Sequence, residues 1–356
     1  MNIQEKYVIS GAGTGIGRAI AQKLSSADHI CVLLGRNENN LNDTLSLLKP
    51  NNKHQIIVAD IRDKANLQLA VNQSNLVAVN GLIANSGIGG ENYWGDNDRW
   101  DDIVNTNLTG TYNFVNTFLP KLQKADAKKH ILITSSILAR LGVSNYSAYC
   151  ASKAGLLGLM RSWAVQFAPE KILVNAICPG WVDTDMAQQG LQGIADNIGI
   201  TKSEFYDIAM QSVPLKRMSR PDEIANLIGY LISQESITGQ CIDINGGAIM
   251  NSIASGAYEL ALKYSKVRKA FGKEIAQHQA IQFKLADMAT RIEAARLLCL
   301  KAAWEKDNGL NYDLSSSMAK VFASETAMWV TVEAVQIHGG YGFVKEYHVE
   351  RLMRDA

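Results

Sequence analysis

Residues 7–26 read YVISGAGTGIGRAIAQKLSS, and this stretch decides the fold. Tyr7, Val8 and Ile9 form an apolar run of the kind seen in strands buried on both faces. Gly11, Ala12, Gly13, Thr14, Gly15, Ile16 and Gly17 follow at once, and a helical pattern takes over across 18–26. Glycines let a backbone turn tightly and come close to a pyrophosphate, whose charge then rests on the amino terminus of the next helix. The spacing is GxxxGxG, not the GxGxxG fingerprint, so the position between first strand and first helix carries the reading. The plain alternative is a glycine-rich turn with no ligand.

Working outward, short apolar runs alternate with helical patterns up to about residue 250. Strands are expected over 7–10, 30–34, 55–59, 79–84, 130–134, 173–178 and 241–244, and helices over 18–26, 41–48 and 148–167. Strand–helix alternation at this spacing predicts an α/β fold, a Rossmann-type doubly wound parallel sheet. After residue 252 no further strand run is expected. Long helices are predicted over 253–269, 277–306 and 315–337, the second with an apolar stripe of Ile281, Leu285, Met288, Ile292, Ala295 and Leu298. Two domains are thus expected, 1–252 with the sheet and 253–356 as an all-α partial bundle.

Bulk composition agrees with two globular domains: 356 residues, 47% hydrophobic and 19% charged. A formal net charge of +1 offers no footprint for nucleic acid or an anionic membrane. No basic segment precedes an apolar stretch at the amino terminus, and no apolar run reaches the roughly 18 residues of a membrane span. Cys31, Cys150, Cys178, Cys241 and Cys299 are scattered and form no CxxC pair. Most read as buried thiols in a reducing compartment, with no metal site. A cytoplasmic, soluble protein is expected.

Past the second strand the chain reads Leu34-Gly35-Arg36-Asn37. Gly35 removes the carboxylate that would accept from the ribose of NAD, and Arg36 offers a cation for the 2′-phosphate of NADP. The bland alternative is a solvated arginine. Tyr149 and Lys153 are four apart in a helical stretch and share a face. A phenol titrates near pH 10, and a neighbouring ammonium favours its anion and makes it a usable acid/base. Ser136 lies thirteen residues upstream at a strand end, where an α/β sheet gathers its site.

From about Lys6 to Asn251 the chain resembles the short-chain dehydrogenase/reductase family, with 3-oxoacyl-thioester reductases and aromatic polyketide ketoreductases as near relatives. The motifs stand in the family's order. Gly11, Gly15 and Gly17 match the glycine loop, and Asp60-Ile61 the pair that meets the adenine. Asn85-Ser86-Gly87 matches Asn-Ala-Gly, with serine for alanine. Pro179-Gly180, Val182 and Thr184 match the segment that holds the nicotinamide carboxamide. The resemblance implies that Tyr149 protonates a carbonyl oxygen as hydride arrives, while Ser136 hydrogen-bonds that oxygen. Lys153 would lower the Tyr149 pKa and hold the ribose, and Asn107 would position a water in the proton relay. The helical stretch from Asp185 to Leu215 is implied as a substrate lid, with a peripheral helix pair as the plain alternative. Lys128, Lys129 and Lys171 match loops where carrier-dependent reductases place basic residues, and solvated charge is the plainer reading.

The remainder resembles the carboxy-terminal helical domain of acyl-CoA dehydrogenases. Arg268, Phe271, Gly272, Ile275 and Gln279 lead into Leu285-Ala286-Asp287-Met288. Gln336-Ile337-His338-Gly339-Gly340-Tyr341-Gly342-Phe343 then runs through Glu346 and Arg351 to Asp355. In that family Arg268, Phe271, Gln279, Gln336, Gly339 and Gly340 would touch the flavin of a neighbouring subunit, and His338 is read as packing. The family's amino-terminal helical and middle β-domains have no counterpart here, so FAD is not expected to bind stably and the tail is expected to be catalytically idle.

The expected activity is NADPH-dependent reduction of a ketone, a 3-oxoacyl thioester or related β-keto compound, by a homo-oligomer (dimer or tetramer). Two alternatives stay open. One is NAD-dependent oxidation of a secondary, even cyclic, alcohol; the other is a non-catalytic fusion scaffold whose helices drive assembly.

Overall fold

The computed structural model describes residues 4–125, 128–248, 253–344 and 347–356. The chain divides into two compact units, Met1–Ile249 and Met250–Ala356. The expected boundary at 252, with Asn251, and the tail residue Glu346 lie outside the described residues.

In the first unit the order is β1 (Lys6–Ser10), α1 (Gly15–Ser26), β2 (Ile30–Gly35), α2 (Glu38–Ser46), β3 (Gln55–Val58), α3 (Lys64–Gln73) and β4 (Gly81–Ala84). There follow α4 (Trp100–Val104), α5 (Gly110–Gln123), β5 (Lys129–Thr134), α6 (Ser147–Phe167), β6 (Ile172–Pro179), α7 (Asp185–Ile198), α8 (Lys202–Gln211), α9 (Pro221–Ser233) and β7 (Cys241–Ile244). The seven strands form one sheet in the order β3-β2-β1-β4-β5-β6-β7. Every pairing is parallel. This is the doubly wound Rossmann-type arrangement, with its switch point beside β1.

Successive strand residues explain the continuous apolar runs. Val8, Val32, Leu82, Ile131 and Val174 pack with Phe114, Phe118, Leu156 and Met160 of α5 and α6. Their neighbours Ile9, Leu33, Ile83, Leu132 and Ile177 pack on the opposite face with Ile20, Leu24, Ile224 and Ile228 of α1 and α9. Side chains alternate across a strand, so a sheet covered on both faces needs an apolar residue at every position. Each fully buried Ile or Leu contributes about 1.5–3 kcal/mol.

The stretch from Asp185 to Leu215 contains two helices, α7 and α8. Gly199 ends α7 with a left-handed φ of +74°. Thr201 and Glu204 then form a reciprocal capping box that starts α8. Leu191, Met210, Val213 and Met218 give this pair a small core of its own.

The second unit holds α10 (Ile253–Val267), α11 (Gln279–Asp307), α12 (Asp313–His338) and α13 (Val349–Asp355). Ala257, Ala261, Met288, Val330 and Ala334 lie at its centre. It also contains two short strands that were not expected, β8 (Lys269–Ala270) and β9 (Lys273–Glu274), paired antiparallel. Phe271 and Gly272 between them take φ of +52° and +81°, the two left-handed residues of a tight hairpin turn. Two-residue strands are too short to show an alternation, so nothing in the residue pattern announced them. No described helix is long and apolar enough to cross a membrane.

Candidate active site

The carboxyl ends of β1 to β6 bring the expected residues to one edge of the sheet, where open α/β sheets bind ligands. At the end of β1 the loop turns on Gly11 and Gly15, whose φ values are +66° and +49°. A Cβ on Gly17 would stand 2.0 Å from the Gly11 carbonyl oxygen, so only glycine lets α1 start this close to the loop. Thr14 is the N-cap of α1 and makes no side-chain cap bond. Ile16 is half-buried in the first turn, and Gly13 lies against Asn40 of α2. Arg18 fastens the loop: its Nη2 donates to the Gly13 carbonyl at 2.6 Å and its Nε to Thr44 Oγ1 at 3.0 Å.

Ser10 ties the first strand end to the fourth, its hydroxyl oxygen accepting from the backbone N–H of Asn85 at 3.0 Å and of Ser86 at 3.1 Å. Thr184, the N-cap of α7, brings its methyl against Gly15. Gly180 packs against Asn245, Pro179 pairs with Ile244 at the sheet edge, and Val182 bridges to Ser219. Arg36 is exposed and makes no ion pair among the described residues. Asp60 is held by Arg62 at 2.7 Å. Burial raises its carboxyl, but the Arg62 hydrogen bonds and charge outweigh this and leave it below the usual range. Ile61 is buried against Gly110 of α5.

Asn107, Ser136, Tyr149 and Lys153 converge beside this loop. Asn107 is fully buried in a π-helical turn, residues 105–109, inserted between α4 and α5. Such turns widen a helix locally and frequently mark functional sites. Its Nδ2 donates to the Ile88 carbonyl at 3.0 Å and to Ser152 Oγ at 3.1 Å, while Oδ1 accepts from the Ile88 N–H at 2.8 Å. Gly87 leaves room where a Cβ would come within 3.1 Å of Asn107 Oδ1 and 3.3 Å of Lys153 Nζ. Lys153 Nζ donates to the Thr134 carbonyl at 3.0 Å and lies 5.6 Å from the centre of the Tyr149 ring. Ser135, directly after β5, anchors the same helix, its hydroxyl donating to the Lys153 carbonyl at 2.8 Å.

The electrostatics differ from the expected tuning of Tyr149 by Lys153. Burial raises the Tyr149 phenol above its ordinary value, and the hydrogen bond with Ser136 only partly opposes it. Burial also lowers the Lys153 ammonium to about 8. Desolvation penalises both charged forms at once, and at this separation the ammonium does not offset it. Near neutrality both groups hold their protons.

Ser10, Arg18, Ser135 and Ser152 were not among the expected residues. Small hydroxyls beside a motif carry no pattern of their own, whereas Arg18, directly after the last loop glycine, could have been found by position. The thiols also depart from expectation. Cys178 and Cys241 approach to 3.3 Å between adjacent strands, and Cys299 is exposed.

In the second unit His338 packs as expected, stacked on Tyr264 at 4.2 Å with its Nδ1 donating to the Ala334 carbonyl at 2.8 Å. Arg268 lies over Tyr341 at 5.3 Å, Phe271 is 96% exposed at the hairpin tip, and Gln279 opens α11. Gln336 lies in the last turn of α12, which ends at His338 just before Gly339 and Gly340. No group of three potential metal ligands occurs among the described residues.

Comparison with known proteins places these features. Residues 11–249 match the family described as Enoyl-(Acyl carrier protein) reductase, and residues 244–356 match the acyl-CoA dehydrogenase C-terminal domain. A Streptomyces virginiae protein, named for ketoacyl reduction in the monensin polyketide synthase, is 33% identical over 250 residues, 67% of this chain and 95% of that protein. A Bacillus subtilis acyl-CoA dehydrogenase is 48% identical over 137 residues, 37% of this chain and 36% of that protein. The chain spans half or less of the length of seven such curated relatives. A crystal structure of actinorhodin polyketide ketoreductase with NADPH superimposes with a TM-score of 0.61 at 27% identity, covering 69% of this chain and 97% of that one. The sheet order, the glycine loop and these matches together make the chain a member of the short-chain dehydrogenase/reductase family, followed by an acyl-CoA dehydrogenase C-terminal domain.

Proposed function

We propose that this chain is an NADPH-dependent reductase of a ketone, a 3-oxoacyl thioester or related β-keto compound, with Tyr149 as the proton donor. One observation carries the reading: the Tyr149 phenol, the Ser136 hydroxyl and the buried Lys153 amine gather at the strand ends beside a glycine loop. The residues suit a nicotinamide dinucleotide. The uncapped start of α1 leaves backbone N–H groups for a diphosphate. Arg36 is exposed and free of an ion pair among the described residues, ready for a ribose phosphate. Lys153 uses one donor on Thr134 and has others left for ribose hydroxyls. Gly11, Gly13, Gly15 and Gly17 would let the diphosphate approach, Asp60 and Ile61 would flank the adenine, and Asn85, Gly87, Pro179, Gly180, Val182 and Thr184 would line the nicotinamide side.

NADPH, when bound, supplies hydride to the carbonyl carbon. Ser136 donates a hydrogen bond to the carbonyl oxygen and polarises it. Tyr149 transfers its phenolic proton to that oxygen as negative charge develops there. The raised phenol pKa keeps that proton in place at neutral pH. Lys153 holds the phenol side of the cleft positive, and Asn107 positions a water through which the proton is replaced. The actinorhodin neighbour's NADPH and the monensin relative's name support both the cofactor and the substrate class. The second unit, whose relatives are matched over half or less of their length, is assigned no flavin chemistry.

The test is oxidation of NADPH, with NADH in parallel, on adding acetoacetyl-CoA, and identification of the 3-hydroxy product by mass spectrometry. Faster turnover with NADPH is expected. Absence of oxidation with both cofactors overturns the reading.

A further inference from the structure

Asn92 is buried, 3% exposed, in the loop between β4 and α4, and belongs to none of the motifs above. Its amide is used on two sides. Oδ1 accepts from the backbone N–H of Ala148 at 2.9 Å and from the Ser147 hydroxyl at 3.2 Å. Nδ2 donates to Asp98 Oδ1 at 3.1 Å and lies 3.1 Å from Ser147 Oγ. Its own backbone N–H donates to the Asn145 carbonyl at 2.7 Å. Asp98 also accepts from the Trp100 N–H at 3.0 Å, at the start of α4.

The first N–H groups of a helix have no partner within it, and a polar side chain at the N-cap usually meets one. Tyr146, the N-cap of α6, makes no such bond. The acceptor comes from Asn92 instead, 56 positions away in the chain. Ala148 directly precedes Tyr149, so this bond fixes the turn on which the phenol stands. The same amide is fastened to the loop that flanks the phenol. A Cβ on Gly89 would be 3.9 Å from the Tyr149 ring and 3.4 Å from Met186 Sδ, and Arg99 Nη2 donates to the Gly89 carbonyl at 3.2 Å.

We propose that Asn92 caps α6 from outside and is a positioning residue for Tyr149, joining the loop beside the substrate to the helix that bears the proton donor. The proposal rests on the reading of Tyr149 given above. Asn92 acts through Ala148 and the loop and touches no reacting atom.

Two variants of the full chain separate its two sides. Asn92→Ala removes both the acceptor for Ala148 and the donor to Asp98. Amide hydrogen exchange should quicken at residues 147–150 and around Asp98, and kcat with acetoacetyl-CoA should fall about 10- to 100-fold, since small misplacements are costly. The Kd for NADPH and the thermal midpoint should hardly change. Asn92→Asp retains the acceptor, loses the donor and sets a carboxylate beside Asp98. It should bring kcat back to within a few-fold of the parent while raising KM for acetoacetyl-CoA. The proposal is overturned if Asn92→Ala retains kcat to within roughly two-fold, if both variants lose kcat alike, or if the loss follows a global fall in thermal midpoint and NADPH binding. A parent that binds NADPH but reduces no ketone overturns the reading of Tyr149, and the positioning role with it. Exchange at 147–150 then still reports whether the cap exists.

Discussion

At the scale of single residues, Tyr149 and Lys153 make opposite demands on the protein. Tyr149→Phe keeps the ring and removes only the proton. Turnover is expected to drop roughly 100- to 10,000-fold with NADPH binding within a few-fold, because a positioned general acid supplies about that much. Turnover within ten-fold of the parent would sink the assignment. Lys153 is a cation in a desolvated place, with its pKa lowered to about 8 from 10.5. Between those values the unfolded chain binds the proton that the folded chain has released, so stability rises with pH across that window. Below pH 8 the full penalty of the buried charge is present. Lys153→Met should therefore raise the thermal midpoint at pH 7, by the equivalent of roughly 1–3 kcal/mol after loss of the Thr134 bond, and the gain should fade by about pH 10. A lower midpoint for the variant at pH 7 would show that the ammonium is better accommodated than its burial implies. Tyr149, Lys153 and Ser136 were legible because four-residue spacing and a strand end are local facts. Asn92 was not, since its partners are a loop aspartate, Asp98, and Ser147 at the start of α6, and only the folded chain brings Ser147 within reach of it. The direction of the Tyr149 shift was hidden for a related reason: it is set by burial, which cannot be seen in a spacing.

At the scale of elements, the sheet was readable to within a residue or two at most strand ends. Ile30 to Leu34 and Leu173 to Cys178 are apolar at nearly every position, and both sheet faces are covered. Strands two residues long, such as β8 and β9, lack that signal, and the π-helical turn at Asn105–Thr109 depends on packing rather than composition. The tightest element contact is the start of α1 against the loop before it. Gly17→Ala would force its methyl into the Gly11 carbonyl oxygen, 2.0 Å away as the backbone stands. A shift of α1 is expected to cost about 1–3 kcal/mol, read as a lower urea midpoint. NADPH affinity should weaken in parallel because the N–H groups of α1 move with it. Unchanged affinity in a destabilised variant would place the diphosphate elsewhere.

At the scale of the whole molecule, the two units differ in what they lack. The first contains every proposed site residue, and the second has exposed apolar side chains along α11 and α12, among them Leu297, Leu300, Trp304, Met318 and Val321. Ending the chain after Ser252 should preserve ketone reduction. It should also reduce association, measured by light scattering, because apolar side chains in water favour partners. A truncated protein that folds, binds NADPH and has lost reduction would show the tail to be part of the working site.

The strand order carries a consequence for how the chain acquires its shape over time. β1 pairs with residues 30–34 on one side and 81–83 on the other, and β6 waits for β7 more than sixty positions later. Such distant pairings close large loops before any contact rewards them, so they form slowly. The helices of the second unit pair with sequence neighbours and should assemble sooner, although they leave the ribosome last. After dilution from denaturant, ellipticity from α10 to α12 should return in a fast phase, and the fluorescence of Trp163, buried against the sheet, in a slower one. A single shared phase would mean that the two units fold as one. During the interval between the phases the nascent sheet has open edges while the helices are already formed, and that is when the chain is most exposed to misassociation.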